Sequence, residues 1–218
     1  MNKIQIAPSI LSADFAKMGD AVKQLCEKGA DFVHCDVMDG VFVPNITFGI
    51  KMIADIKKVS KIPLDVHLMI VEPERYLEHF AKAGADIITV HYEACKKPVK
   101  EVLDDIRKLG VKSAVSIKPD TPVSVLEDLI PHLDMILIMS VYPGHGGQKY
   151  IPASTERIAK TYEMIKNSGY DVMLEVDGGI NAINVKEVKG AGANVIVAGS
   201  SVFNAEDMTK AIKELRKN

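Results

Sequence analysis

The sequence has little cysteine, no excess of positive charge and no apolar run long enough to cross a bilayer. Its three cysteines, Cys26, Cys35 and Cys95, are widely spaced and form neither a CxxC pair nor a disulfide pattern. A reducing, cytoplasmic setting is the expected compartment. No apolar stretch reaches the roughly 18 residues of a membrane span. The start, MNKIQIAPSILSAD, carries no long apolar signal region. With 27 Lys and Arg against 29 Asp and Glu, the net charge is −2. Nucleic acid or a membrane surface as main partner usually demands a basic patch, so neither is expected. Linkers and low-complexity segments are missing too, and one domain over residues 1–218 is the expected organisation.

What is present is alternation. Nearly half the residues are apolar, enough for a substantial core. Short β-branched runs at 4–11, 32–38, 64–69, 87–91, 112–117, 135–140, 172–176 and 195–198 read as strands. Helical spacing fills 15–28, 76–83, 99–109, 123–130, 154–167, 182–189 and 205–216. Gly29, Gly84 and Gly192 open GAD or GAN turns before strands, a placement that suits helix C-termini. Eight strand–helix units predict an α/β fold of the single-domain (β/α)8 TIM-barrel type. A doubly wound sheet is second, without a GxGxxG after the first strand to support it.

Ligand-type residues gather where these strands end. Alternation puts His34, Asp36 and Met38 on one face, and Asp65, His67 and Met69 on one face of the next strand. The seventh strand runs into Glu175, Asp177, Gly178 and Gly179. A lone His on an apolar strand is ordinarily a hydrogen-bonded core residue. Several such groups at equivalent strand ends are harder to dismiss, because buried charge needs a partner or a metal. His34, Asp36, His67 and Asp177 form a candidate site for Zn2+, Fe2+, Mn2+ or Co2+. Asp39, Asp65 and Glu175 compete for the carboxylate roles. Asp39 is expected to face away from Asp36, Glu175 away from Asp177, and Asp65 to lie deeper. Glycine-rich turns at 143–148, 177–179 and 199–201 suit a phosphate. Met38, Met69 and Met139 read as core filling on spacing alone. His79, His91 and His132 are expected at surface or rim, and Cys35 toward the helices.

The motifs APSILSADF at 7–15, HCDVMDGVFVPNITFG at 34–49, LDVHLMI at 64–70, AGADIITVHYEA at 83–94, PGHGGQKYI at 143–151, EVDGGI at 175–180 and VAGSSVF at 197–203 span the chain. Together they make it resemble the ribulose-phosphate 3-epimerase family. The resemblance implies a metal-dependent barrel enzyme that interconverts D-ribulose 5-phosphate and D-xylulose 5-phosphate through an enediolate. It also implies a phosphorylated ketose as partner and assembly as a homo-oligomer. By position, His34, Asp36, His67 and Asp177 match the family's ligands to one divalent ion, and Asp36 and Asp177 its acid/base pair. Ser9, His67, Met38, Met69, Met139, Gly144, His145, Gly146, Gly147, Gly178, Gly179, Gly199 and Ser200 match residues around the substrate. His145 stands where the family usually has Phe, Val41 where His is common, and Tyr142 where Asn or Glu is frequent. Allulose-6-phosphate 3-epimerases share most of these motifs, but Gly178-Gly179 favours the pentulose enzyme. A second enzyme class, an aldolase, decarboxylase or synthase on a similar barrel, normally needs an active-site lysine, for which Lys118 is the candidate. A non-catalytic sugar-phosphate sensor is the third reading, against which the intact acid pair argues.

Overall fold

A strand that pairs in parallel with the next must return along the sheet, and the helical segments supply that return. The computed structural model describes residues 3–217. Its eight parallel strands are β1 Gln5–Ala7, β2 Val33–Met38, β3 Leu64–Met69, β4 Ile87–His91, β5 Lys112–Ile117, β6 Met135–Met139, β7 Met173–Asp177 and β8 Val195–Val197. The helices are α1 Met18–Lys28, α2 Ile50–Lys57, α3 Leu77–Ala83, α4 Val99–Lys108, α5 Ser154–Ser168, α6 Val185–Gly190, α7 Ser200–Phe203 and α8 Met208–Lys217. The strands pair in the order β1-β8-β7-β6-β5-β4-β3-β2. A parallel bridge of Ser9 with His34 closes the circle between β1 and β2. The N–H groups of Asp31 and His34 reinforce that seam by donating to the carbonyls of Ile6 and Pro8, at 2.9 and 3.1 Å. This is the expected (β/α)8 barrel.

Two apolar layers follow from strand alternation. Val33, Cys35, Val37, Leu64, Val66, Leu68, Ile136 and Ile138 join the core between strands and helices. Phe32, Ile87, Ala114, Met135 and Val195 form a separate cluster inside the barrel. Further toward the strands' C-terminal ends the interior turns polar, with His34, Asp65, Thr89, Ser116 and Glu175 all buried. Cys35 therefore faces the helices, as its phase predicts. Gly29 and Gly84 end α1 and α3 in the left-handed conformation, at φ of 91° and 102°.

Several boundaries differ from the sequence expectation for local reasons. The first strand stops at Ala7 because Pro8 has no N–H to give the ladder. Ser9 instead caps a 3-10 turn, Ile10–Ser12, its hydroxyl accepting the Leu11 N–H at 3.2 Å. Helix α2 was not expected, although Ile53 and Ile56 bury its inner face. The segment 123–130, expected as helix, is a 3-10 run, Val123–His132, interrupted by Pro131. Helix α7 replaces an expected turn.

Candidate active site

Asp36 lies where three elements meet. The seam brings the Ser9 hydroxyl to one of its oxygens, to which it donates at 2.5 Å. The β2–β3 register sets Asp36 beside His67. The other Asp36 oxygen lies 3.2 Å from His34 Nε2 and 3.0 Å from His67 Nδ1. Asp177 ends β7 and joins them: one ligand atom from each of His34, Asp36, His67 and Asp177 lies within 4.8 Å of the others. Two imidazole nitrogens and two carboxylate oxygens converging in this way fit one divalent cation.

The two carboxylates sit in opposed electrostatic settings. Burial alone would raise Asp36, but the neighbouring His34 charge and hydrogen bonds from His34 and His67 hold it far below the usual carboxylate range. At Asp177 nothing reverses the burial penalty. Loss of solvent, and then the negative charge of Asp36, push its pKa up to about 6. Burial would lower His34, yet Asp36 and Asp65 raise it well above an ordinary imidazole.

A further shell stands behind these groups. Asp65 lies deeper, as expected, 2.5 Å from His34 Nδ1. Glu175 does not face away from Asp177. The two are separated by one residue, so strand alternation turns both inward, and Glu175 reaches to 3.7 Å of His34 Nδ1. It is fully buried, and neither of its carboxyl oxygens has a hydrogen-bond partner. Burial, then the charge of Asp65, push its pKa well above the usual carboxylate value. Asp39 faces away as predicted and accepts the N–H groups of Val41, Phe42 and Val71 at 2.8–2.9 Å.

His91 also corrects the sequence expectation. It is fully buried rather than at the rim. Its Nε2 lies 2.9 Å from His67 Nε2, and its Nδ1 3.2 Å from Glu93. Burial outweighs the help of Glu93 and lowers its pKa to about 4. The available signal was phase: His91 lies two residues past inward-facing Thr89, itself paired with His67. His79 is exposed, and His132 pairs with Asp104 at 2.6 Å, both away from this cluster.

A cavity of about 490 Å³ opens above Asp36 and Asp177. Every residue expected to surround the substrate lines it except His67, which lies behind Asp36 with His34. Met38, Met69 and Met139 both pack against apolar neighbours and face the cavity, so core filling was half the answer. Sequence reasoning missed Ser12, Lys149 and Asn181 on the wall and gave Gln148 no role beyond its place in the glycine-rich turn. Gln148 shapes the glycine turn, its amide donating to the carbonyls of Tyr142 and His145 at 2.7 and 2.9 Å. Lys118 lies over the Phe42 ring at 3.9 Å and does not line the cavity. That removes the lysine on which the sequence had rested the lysine-dependent reading. Among the described residues, no helix is long and apolar enough to cross a membrane.

Known proteins with similar sequences point the same way. Residues 5–203 match the model of the Ribulose-phosphate 3 epimerase family. Ribulose-phosphate 3-epimerase from Synechocystis sp. is 51% identical over 214 residues, covering 98% of this chain and 93% of that protein. The protein of the same name from Bacillus subtilis is 49% identical, covering 98% of each. Among solved structures, KGPDC from Streptococcus mutans superposes with a TM-score of 0.75 at 12% identity, covering 99% of this chain and 96% of that one. At that identity the likeness speaks for the barrel alone.

Proposed function

This chain belongs to the ribulose-phosphate 3-epimerase family, and from that premise we propose that it interconverts D-ribulose 5-phosphate and D-xylulose 5-phosphate. The observation that carries the reading is the pair Asp36 and Asp177, converging with His34 and His67 under one cavity lined by the glycine turns. Epimerisation removes a proton from C3, next to the C2 carbonyl, and returns one to the opposite face. That needs one group that starts as a base and one that starts as an acid. Asp36, held ionised, takes the proton from one face. Asp177 delivers one to the other, and the roles exchange in the reverse direction.

The rest of the site serves these two steps. The Ser9 hydroxyl fixes one oxygen of Asp36 and leaves the carboxylate little freedom to rotate. Met38, Met69 and Met139 provide a polarizable wall that keeps water from the enediolate. Gly178, Gly179, Gly199 and Ser200 offer backbone N–H groups to the phosphate, giving binding energy remote from C3. His34, Asp36, His67 and Asp177 would hold a divalent cation, whose positive charge would favour negative charge on the substrate oxygens. Location in the cytoplasm and assembly with like subunits belong to the same proposal.

The direct test follows exchange of the C3 proton by NMR on a panel of ketose phosphates, with metal content measured on the same sample. Ribulose 5-phosphate is expected to be the best substrate. No exchange on any pentulose phosphate in a metal-loaded sample would refute the assignment. Prolonged chelation is expected to abolish turnover and one equivalent of a divalent ion to restore it. Full activity in verified metal-free protein would remove the ion from the scheme. His145 stands exposed on the rim of the cavity. His145→Phe is expected to change the ratio of kcat/KM for ribulose 5-phosphate and allulose 6-phosphate. An unchanged ratio would separate this residue from specificity.

A further inference from the structure

We propose, resting on the phosphate reading above, that Asn184 and Ser201 are positioning residues: they tie back the carbonyls of Gly179 and Ile180 and so leave the Ile180 N–H free to bind the phosphate of the substrate.

Gly179, Ile180, Asn184 and Ser201 all line the cavity. A phosphate oxygen is an acceptor, so a backbone carbonyl turned toward it repels it and an N–H binds it. Both carbonyls of this turn are occupied elsewhere. Asn184 Nδ2 donates to the Gly179 oxygen at 3.0 Å, and Asn181 Nδ2 adds a longer contact at 3.4 Å. Ser201 Oγ donates to the Ile180 oxygen at 2.9 Å. The Asn184 amide fits only one way round, because its Oδ1 accepts the Asn181 N–H at 2.9 Å. In a trans peptide the C=O and N–H point in opposite directions, and no described peptide bond is cis. Drawing the Gly179 oxygen toward Asn184 therefore turns the Ile180 N–H the other way. Among the described residues, none accepts the N–H of Gly179 or Ile180.

Packing holds the same turn from its other side. Gly179, at φ of 67°, lies so close to the backbone of 148–150 that an added Cβ would come within 2.7 Å of the Gln148 carbonyl oxygen. Asn181 is itself fixed, its Oδ1 accepting the Ile183 N–H at 2.9 Å. Ser201 belongs to α7, just past Gly199, so its bond to Ile180 ties the glycine turn after β7 to the one after β8. An N–H oriented before the substrate arrives needs no rearrangement when it binds, and that saving appears as affinity.

The experiment compares wild type, Asn184→Leu and Ser201→Ala on D-ribulose 5-phosphate and on unphosphorylated D-ribulose, with inorganic phosphate as the probe in amide NMR. Each variant is expected to raise KM for ribulose 5-phosphate, and the inhibition constant of inorganic phosphate, about 5- to 10-fold. Its kcat, and its kcat/KM on D-ribulose, should change far less. In wild type, inorganic phosphate is expected to move the Ile180 amide proton downfield and to leave the Asn184 side-chain amide in place. The Ile180 shift should shrink in both variants. An equal fall of kcat/KM on the two sugars, unchanged phosphate affinity in the folded variants, or a shift of the Asn184 side-chain amide in place of Ile180 would each overturn the proposal. The wild-type spectrum and Ser201→Ala decide the matter should Asn184→Leu fail to fold. A wild type with no preference for the phosphorylated sugar would instead overturn the phosphate reading beneath it.

Discussion

Changing either Asp36 or Asp177 to asparagine is expected to lower kcat by about 10³-fold or more while the barrel remains folded. Asparagine keeps the shape of the side chain and loses the proton acceptor. Because one carboxyl must begin ionised and the other protonated, neither can cover for its partner. The two variants should nevertheless differ in stability. Asp36 receives the Ser9 hydroxyl and stands against two imidazoles, so Asp36→Asn leaves His34 and His67 short of their counter-charge. It should melt lower than wild type. Asp177 is held up at about 6 in the folded protein, against an ordinary value of 3.8. A carboxyl raised in this way adds stability at low pH that is lost as pH rises through the interval from about 4 to 6. In chelated protein, Asp177→Asn should flatten that decline and match or exceed wild type at neutral pH. Turnover near the wild-type rate in either metal-loaded variant would end the two-carboxylate scheme. A steeper decline in Asp177→Asn would show that its carboxyl is not the group being strained.

Gly179→Ala is expected to have the largest effect among the glycines of the cavity. Gly179 has φ of 67°, which already disfavours a side chain. An added Cβ would also collide with the Tyr150 backbone nitrogen and come within 2.7 Å of the Gln148 carbonyl oxygen. Backbone atoms cannot swing aside as a side chain can. The variant must either move the turn that follows β6 or leave the left-handed region. Both together should cost about 2–3 kcal/mol and raise KM more than they lower kcat. Gly147→Ala is the matched control. Its φ is similar, 75°, but nothing lies within 4 Å of the added Cβ. It should lose only the roughly 1 kcal/mol of the backbone preference. Equal melting temperatures for the two variants would mean that the close approach of the turns is not what the glycine serves.

How much of this could be read from residues alone depended on whether a signal was local. Strand alternation is local, and it placed His34, Asp36 and His67 inward without any knowledge of neighbours. Helix ends at Gly29 and Gly84 were equally plain. Helix α2 was hidden because the loop before it, with Pro44, Asn45 and Gly49, reads as irregular, and its short apolar stripe is easily taken for loop. Glu175 was misplaced through an error of phase, not through missing information, since alternation assigns it to the face of Asp177. Phase within β4 shows that His91 points inward, but its role is legible only across strands. Its partners His67 and Glu93 lie on β3 and just beyond β4, and no pattern within β4 marks it as more than a buried histidine. The choice between Asp36 and the other carboxylates likewise needed family resemblance, because five acids share three strand ends.

The pairing of β1 with β8 has a kinetic consequence. Strand β1 pairs with β8 on one side and reaches β2 through Ser9 on the other, so it joins the two ends of the chain. Contacts so distant in sequence pay their loop-closure entropy late. The late join is that of β1 with β8, Gln5 against Val195, and the cavity residues Gly199 and Ser200 lie just past β8. On refolding, helical signal should therefore return before catalytic competence, and an enzyme assay becomes a clock for the moment the circle shuts.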